Sequence, residues 1–264
     1  MKTPSEPTTT AGETAQSATV LDWNNKSVEI ARSANGVIAV SDPFRNLVQP
    51  GVKPWPPAEI IQKLSRSHHE KAFKEEQLQA VTQRLGFYCD LQSLHSEDAL
   101  TWSVFGPLAY AGIEVKRNFA AALLHALDLP CPTPQNVSIW LWRRLPHPDT
   151  LVSGGPEIDF GLQTDDTLLL GEAKWLSPVG KLQGVAKDKD QLVLRQEFCR
   201  KYGGQFFGGY QRLIILGVSL DKPMLETTNE SLPCGVLHTR STTWQSLCQM
   251  TEHPLSDELQ RYLE

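Results

Sequence analysis

Apolar residues recur at helical spacing in the first half of the chain and at alternate positions in much of the second half. From residue 58 onward they fall three or four apart, which predicts an amphipathic helix that continues to a stop at Gly86. A second helix is predicted to begin at Ser96, a favourable N-cap followed by two acidic residues. A third helix is predicted over residues 118–127.

Beyond residue 134 the pattern becomes typical of strands. Trp140 and Trp142 are two residues apart and are expected to pack on one face of their strand, and Ile158 and Phe160 share a face in the same way. Strands are predicted at 137–144, 157–162, 167–175 and 212–219, with helices at 187–202, 244–250 and 256–262. The order predicts a mixed α/β (α+β) fold, with an αβββαβ core and helices packed on the sheet.

The sequence pattern divides the chain into a tail, an N-terminal hairpin and helix region, and a main domain. Residues 1–19 are almost free of apolar side chains and are predicted to form a disordered tail. Residues 20–92 are predicted to hold a hairpin around Asn35-Gly36, with strands at 28–31 and 37–40, followed by the first helix. Residues 93–264 would form the main domain.

Composition limits the class of protein. The five cysteines are odd in number and form no CxxC pair, which favours a reducing, cytoplasmic compartment over a disulfide framework or a cysteine zinc site. No apolar stretch approaches the roughly 18–20 residues that a membrane span needs, and no secretory signal is recognisable at the start. A formal charge of −5 excludes a uniformly basic surface for nucleic acid, although a local basic patch remains open.

Charged residues within the predicted central strands indicate chemistry. Glu172 and Lys174 are two apart on a strand and therefore point to the same face, where isolated charges are costly. Asp159, on the preceding strand, can reach that face if the two strands form a hairpin. Two carboxylates beside an ammonium suit a hard divalent cation and a phosphate or water.

Asp159, a twelve-residue spacer and then Glu172-Ala173-Lys174 resemble the PD-(D/E)XK nuclease superfamily, which has the restriction-endonuclease-like fold. The resemblance extends over about residues 96–220 and includes the order of helices and strands. It implies that Asp159, Glu172 and the Ala173 carbonyl bind Mg²⁺, or Mn²⁺ as a substitute, and that Lys174 handles the attacking water.

The resemblance also implies an acid on the helix before the first strand. Glu97 is the preferred residue, with Asp98 and then Glu114 as alternatives. A further alternative lies within PEIDF, because Glu157 and Asp159 have the same parity on the strand. Asp159 is preferred as the ligand since it lies between two apolar residues, but Glu157 stays open.

The predicted helix at 187–202 supplies candidates for substrate contact. Gln191 and Arg195 are four residues apart and share a helix face. Between residues 174 and 202 there are seven Lys or Arg residues against three acids, a local positive charge of the sign expected opposite phosphate. A solvated helix face is the equally acceptable structural interpretation.

Together these features favour a Mg²⁺-dependent nuclease. The resemblance implies a DNA endonuclease in a restriction, phage-defence or mobile-element setting, acting as a homodimer and with partner proteins of such a system. The alternative is a DNA-binding or assembly subunit that keeps a nuclease-like fold without cutting. No motif of a P-loop, a serine hydrolase or a zinc protease occurs.

Overall fold

The structure is a computed structural model that describes residues 18–32, 36–66, 89–148, 157–176 and 189–264. It has a mixed six-stranded sheet, an antiparallel three-stranded sheet and packed helices, so the predicted mixed α/β class is confirmed. Among the described residues, no helix is long and apolar enough to cross a bilayer. Three predicted features lie partly outside the described residues. They are the tail (residues 1–17), the turn at Asn35 and the part of the first helix from residue 67 to Gly86.

The small sheet contains β1 (Ala18–Leu21), β2 (Ser27–Arg32) and β3 (Ile38–Val40). The antiparallel pairing of β2 with β3 confirms the predicted hairpin. Strand β1 was not predicted, and its pairing of Ala18 with Ile30 shows that the predicted tail, which reaches residue 19, overlaps a strand. This short, mostly exposed segment forms an edge strand because β2 supplies its backbone hydrogen-bond partners.

The large sheet runs in the order β4-β5-β6-β7-β9-β8. Its first three strands form the predicted antiparallel meander, β6, β7 and β9 are parallel neighbours, and β8 closes the other edge antiparallel to β9. Its strands are β4 (Ser138–Arg144), β5 (Glu157–Gln163), β6 (Thr167–Ala173), β7 (Arg212–Ser219), β8 (Thr228–Leu232) and β9 (Gly235–Thr243). All seven residues of β6 are buried, which puts it in the interior of the sheet.

The described residues include six α-helices: α1 (Ala58–Arg66), α2 (Glu97–Tyr110), α3 (Ile113–Ala126), α4 (Gln191–Phe207), α5 (Trp244–Cys248) and α6 (Ser256–Leu263). Helix α2 begins as predicted, because the Ser96 hydroxyl accepts the Ala99 amide at 3.0 Å. Helices α2, α3, α5 and α6 share one apolar cluster with one face of the sheet, while α4 shares a second cluster with the other face. The sheet is therefore covered by helices on both sides.

The residues between the small sheet and α2 join the same core. Leu47, Val48, Ile60 and Leu91 are at most 2% exposed and belong to the apolar cluster of α2 and the large sheet. The main sheet thus shares its core with residues from the 20–92 portion.

Candidate active site

The candidate site lies where β5 and β6 separate. Their antiparallel pairing ends at Phe160 and Gly171, so that the next residues, Asp159 and Glu172, do not continue the ladder. The Asp159 carboxylate instead accepts the Ala173 amide at 2.7 Å, in place of a backbone carbonyl. Strand β6 continues against β7, where the Lys174 amide donates to the Val218 carbonyl at 2.7 Å.

Asp159 and Glu172 form a pair of neighbouring carboxylates, of which Glu172 is buried and Asp159 partly buried. Burial raises the pKa of Asp159 well above its ordinary value, and the negative charge of Glu172 raises it further. Arg195 and Lys174 act in the opposite direction but do not outweigh these effects. A site with two crowded carboxylates therefore attracts either protons or cations.

Lys174 joins Glu172 to the start of α2. Its Nζ lies 2.9 Å from Glu172 Oε1 and 2.8 Å from Glu97 Oε1, and it also donates to the Ala173 carbonyl at 2.8 Å. The Trp175 amide donates to the other Glu97 oxygen at 3.2 Å. Burial alone would lower the pKa of Lys174, but Glu172 and Glu97 together raise it above its ordinary value, so that the amine is held as ammonium.

Arg195, predicted as a substrate contact, lies in the interior of the protein. Its side chain is fully buried, and its Nη2 pairs with Glu172 Oε2 and donates to the Glu157 carbonyl. Its Nε and Nη1 have no hydrogen-bond partner among the described residues. Arg195 therefore faces β6 rather than solvent, and it holds the Glu172 carboxylate in position.

The two acids of β5 lie in different surroundings. The Glu157 carboxylate accepts from Lys63 Nζ at 2.7 Å, and Lys63 also binds Asp98 at 2.9 Å. Glu157 and Asp98 thus belong to a neighbouring ion network anchored on α1, whereas Asp159 lies beside Glu172. Lys63 also lies 4.7 Å from the Trp142 ring centroid, a cation–π contact.

The remaining candidates are Glu114 and Gln191. Glu114 pairs with Arg117 on α3, and its side chain is 73% exposed. Gln191 is partly buried at the first position of α4, one helical turn before Arg195. Of the residues predicted for the site, the structure brings together Glu97, Asp159, Glu172, Ala173, Lys174 and Arg195.

The predicted alternation of strand faces fails next to the site. Trp140 packs with the α4-side cluster and Trp142 with the α2-side cluster, so the two do not share a face. Ile158 likewise packs with the α4-side cluster, away from Phe160. The cause is local: Trp142 has φ +53°, an uncommon conformation for a bulky residue, and neither it nor Asp159 pairs in the β4–β5 ladder.

The donor set fits Mg²⁺ in chemistry, because it offers two carboxylates and the Ala173 carbonyl, all hard oxygen ligands. A divalent cation would also relieve the repulsion expressed in the raised pKa of Asp159. In the described part of the chain, however, no three His, Cys, Asp or Glu residues are grouped closely enough to hold a metal ion. Lys174 occupies the space between Glu97 and Glu172, so a metal bound to both would compete with its ammonium.

The positive charge counted around α4 is largely neutralised. Among the described residues, Lys174 pairs with Glu97 and Glu172, and Arg195 pairs with Glu172 as well. Lys189 pairs with Glu197, and Arg200 pairs with Glu230. Lys181 and Lys187 lie outside the described residues. The local excess of basic residues therefore gives a weaker phosphate-facing surface than the count suggests.

Two contacts that sequence reasoning missed support the site from distant segments. Trp244 Nε1 donates to the Lys174 carbonyl at 2.8 Å, and Lys63, from α1, holds Glu157 and Asp98 in the network next to the site. Neither residue carries a motif, since each is placed by the packing of a helix against the sheet. No signal in the sequence identifies either one.

Comparison with known proteins adds no relationship. No protein-family model matches the chain, and no curated protein sequence matches it.

Proposed function

We propose that the chain is a Mg²⁺-dependent nuclease of the PD-(D/E)XK superfamily, with a restriction-endonuclease-like core, that hydrolyses phosphodiester bonds in DNA. The observation that carries the proposal is the convergence of Asp159, Glu172 and Lys174 at the separated ends of β5 and β6, with Glu97 against Lys174. The order of helices and strands that supports the superfamily resemblance runs from α2 through β7.

The proposed roles follow from contacts within the cluster. Asp159, Glu172 and the Ala173 carbonyl would hold the metal. When bound, Mg²⁺ would polarise the scissile phosphate and acidify a coordinated water. Lys174, held as ammonium by Glu172 and Glu97, would orient that water and stabilise negative charge on the phosphate. Arg195 would hold the Glu172 carboxylate in place from the α4 side.

Plasmid cleavage tests the proposal. Supercoiled DNA incubated with Mg²⁺ or Mn²⁺ should be nicked or linearised, and EDTA should abolish the reaction. Asp159→Asn, Glu172→Gln and Lys174→Met should each reduce the rate about 100-fold or more. Glu157→Gln is the matched control, because its carboxylate binds Lys63 and not Lys174. Cleavage that persists in all three site variants would refute the proposal.

A homodimer belongs to the same proposal, because one such site in each chain requires two copies to cut both strands. Analytical ultracentrifugation with and without duplex DNA should detect the dimer. A monomer under both conditions would remove it. The proposed setting, in restriction, phage defence or a mobile element with partner proteins, follows from the family resemblance alone.

The second candidate function is a DNA-binding or assembly subunit without activity. It is favoured by the closed ion network, since both oxygens of Glu172 pair with a cation and both oxygens of Glu97 accept a hydrogen bond. Such a subunit would bind DNA equally well with and without Mg²⁺, and its Glu172→Gln variant would leave DNA affinity unchanged. DNA binding without cleavage in the wild-type chain would decide for this function.

A further inference from the structure

A cavity of about 280 Å³ lies directly beside the candidate active site. Trp175, the residue after Lys174, forms one wall, and Trp244 forms another while its Nε1 holds the Lys174 carbonyl at 2.8 Å. The cavity wall is therefore hydrogen-bonded to the backbone of Lys174, the proposed catalytic lysine. Its volume is near the lower limit for small-molecule sites, about 300–1,000 Å³, which suits one planar ring system.

Three glutamine side chains surround the cavity. Gln245 and Gln249 are four residues apart around α5, and Gln260 comes from α6. All three are exposed, and none of their amides has a hydrogen-bond partner among the described residues. An amide offers a donor and an acceptor side by side, the combination that reads the hydrogen-bonding edge of a nucleobase.

The charge of the lining argues against a phosphate as the occupant. No lysine or arginine lines this cavity, and the Glu264 carboxylate does. A carboxylate repels an anion but accepts a hydrogen bond from an exocyclic amine, such as that of cytosine. Trp244 is fully buried, so the partly exposed indole of Trp175 and the exposed side chain of Leu220 would contact the faces of a ring.

We propose that this cavity receives one unstacked nucleobase of the substrate, next to the phosphodiester bond that Lys174 serves. A base within a duplex cannot enter such a recess without leaving the stack, so the substrate has an unpaired or flipped base at the cleavage position. The inference rests on the proposed nuclease function and specifies its substrate class.

The test uses the full chain and fluorescein-labelled single-stranded DNA, with Ca²⁺ in place of Mg²⁺ to measure binding by anisotropy. One abasic site is moved through the oligonucleotide, one position at a time. The wild-type chain should lose about tenfold in affinity at one position, relative to the other positions, because base–aromatic stacking is lost there. Gln249→Ala and Trp175→Ala should remove this difference between positions, whereas Trp175→Phe should retain it.

Gln205→Ala, an exposed glutamine on α4 away from the cavity, is the matched control, and melting temperatures show whether each variant folds. An equal loss at every abasic position, or a Gln249→Ala variant identical to Gln205→Ala, overturns the nucleobase site. If plasmid cleavage by the wild-type chain persists in that case, the nuclease function stands without it. If the chain neither binds nor cuts nucleic acid, both proposals fall.

Discussion

Arg195 on α4 and Glu172 on β6 form an ion pair in which the side chains are 0% and 2% exposed. Such a pair contributes little net stability, because both charges lose their hydration on burial. Removal of Arg195 alone is different, since Oε2 of the buried Glu172 then loses its cation and only Oε1 keeps one, Lys174. The pair therefore fixes where the Glu172 carboxylate lies more than it stabilises the fold.

Arg195→Met is expected to lower the free energy of unfolding by about 3 kcal/mol, because Glu172 loses its buried partner. The double variant Arg195→Met/Glu172→Met removes both charges and should be clearly more stable than the single variant. Urea unfolding of the wild type and the two variants measures both effects. A single variant within about 0.5 kcal/mol of the wild type would contradict a buried, coupled pair.

The neighbouring acids Glu97 and Asp98 give a matched test of the site. Glu97→Gln removes the charge that binds Lys174 and is expected to reduce the rate of the proposed Mg²⁺-dependent cleavage at least about tenfold. Asp98→Asn should leave that rate nearly unchanged, because Asp98 binds Lys63 in the neighbouring network. Single-turnover cleavage by the two variants, with melting temperatures to verify folding, provides the comparison. Equal losses in both variants would show that Glu97 has no separate role.

Local sequence patterns are sufficient to predict the positions of most residues in this site. The Ser96 N-cap fixes the start of α2 and so the position of Glu97, and the period of β6 puts Glu172 and Lys174 on one side. Asp159 could be placed from the short connection between two strands. These features depend on residues close in sequence, which is why the spacing was informative.

The features that could not be predicted depend on distant contacts. The burial of Arg195 follows from the packing of α4 on β6, and helix periodicity gives a face without saying what covers it. Strand β9 was missed because its centre is polar: Arg240 is 6% exposed and donates to the Leu127 carbonyl at 2.8 Å, across 113 residues. Polar residues become strand interior only when such partners exist, and the partners are set by the tertiary fold.

Gly171 is required where β6 passes beneath an aromatic stack. A Cβ built on Gly171 would lie 2.2 Å from the Phe160 ring, which itself stacks on Phe105 with centroids 3.8 Å apart. Gly171→Ala is therefore expected to destabilise the fold by at least about 1–3 kcal/mol, measured by urea unfolding. It should also displace the neighbouring Glu172 and reduce cleavage.

Gly204 provides the control for that substitution. It lies in α4, and a Cβ there would make only an ordinary contact of 3.7 Å with Cys234. Gly204→Ala should raise the free energy of unfolding by about 0.5–1 kcal/mol, because alanine favours helix over glycine. If both variants changed stability in the same direction, steric contact with Phe160 would not be the reason for glycine at 171.

His253 gives the fold a dependence on pH that is separate from the site. Its Nδ1 accepts the Leu255 amide at 3.1 Å, so Nε2 carries the proton donated to the Val104 carbonyl at 2.7 Å. This arrangement requires the neutral ring. Burial lowers the pKa of His253 below its ordinary value of 6.5, although the bond to Val104 and the charge of Glu258 act in the opposite direction.

The unfolded chain therefore takes up the His253 proton first as the pH falls. We expect the contribution of His253 to the free energy of unfolding to be constant above about pH 6.5. Below that pH the contribution should decrease until the folded-state pKa is reached. His253→Gln should have a lower stability at neutral pH and a shallower decrease between pH 6.5 and 5, measured by urea unfolding at each pH. His125→Gln, at an exposed position of α3, should keep the wild-type profile. A His253→Gln profile parallel to that of the wild type would mean that another group sets the pH dependence in this range.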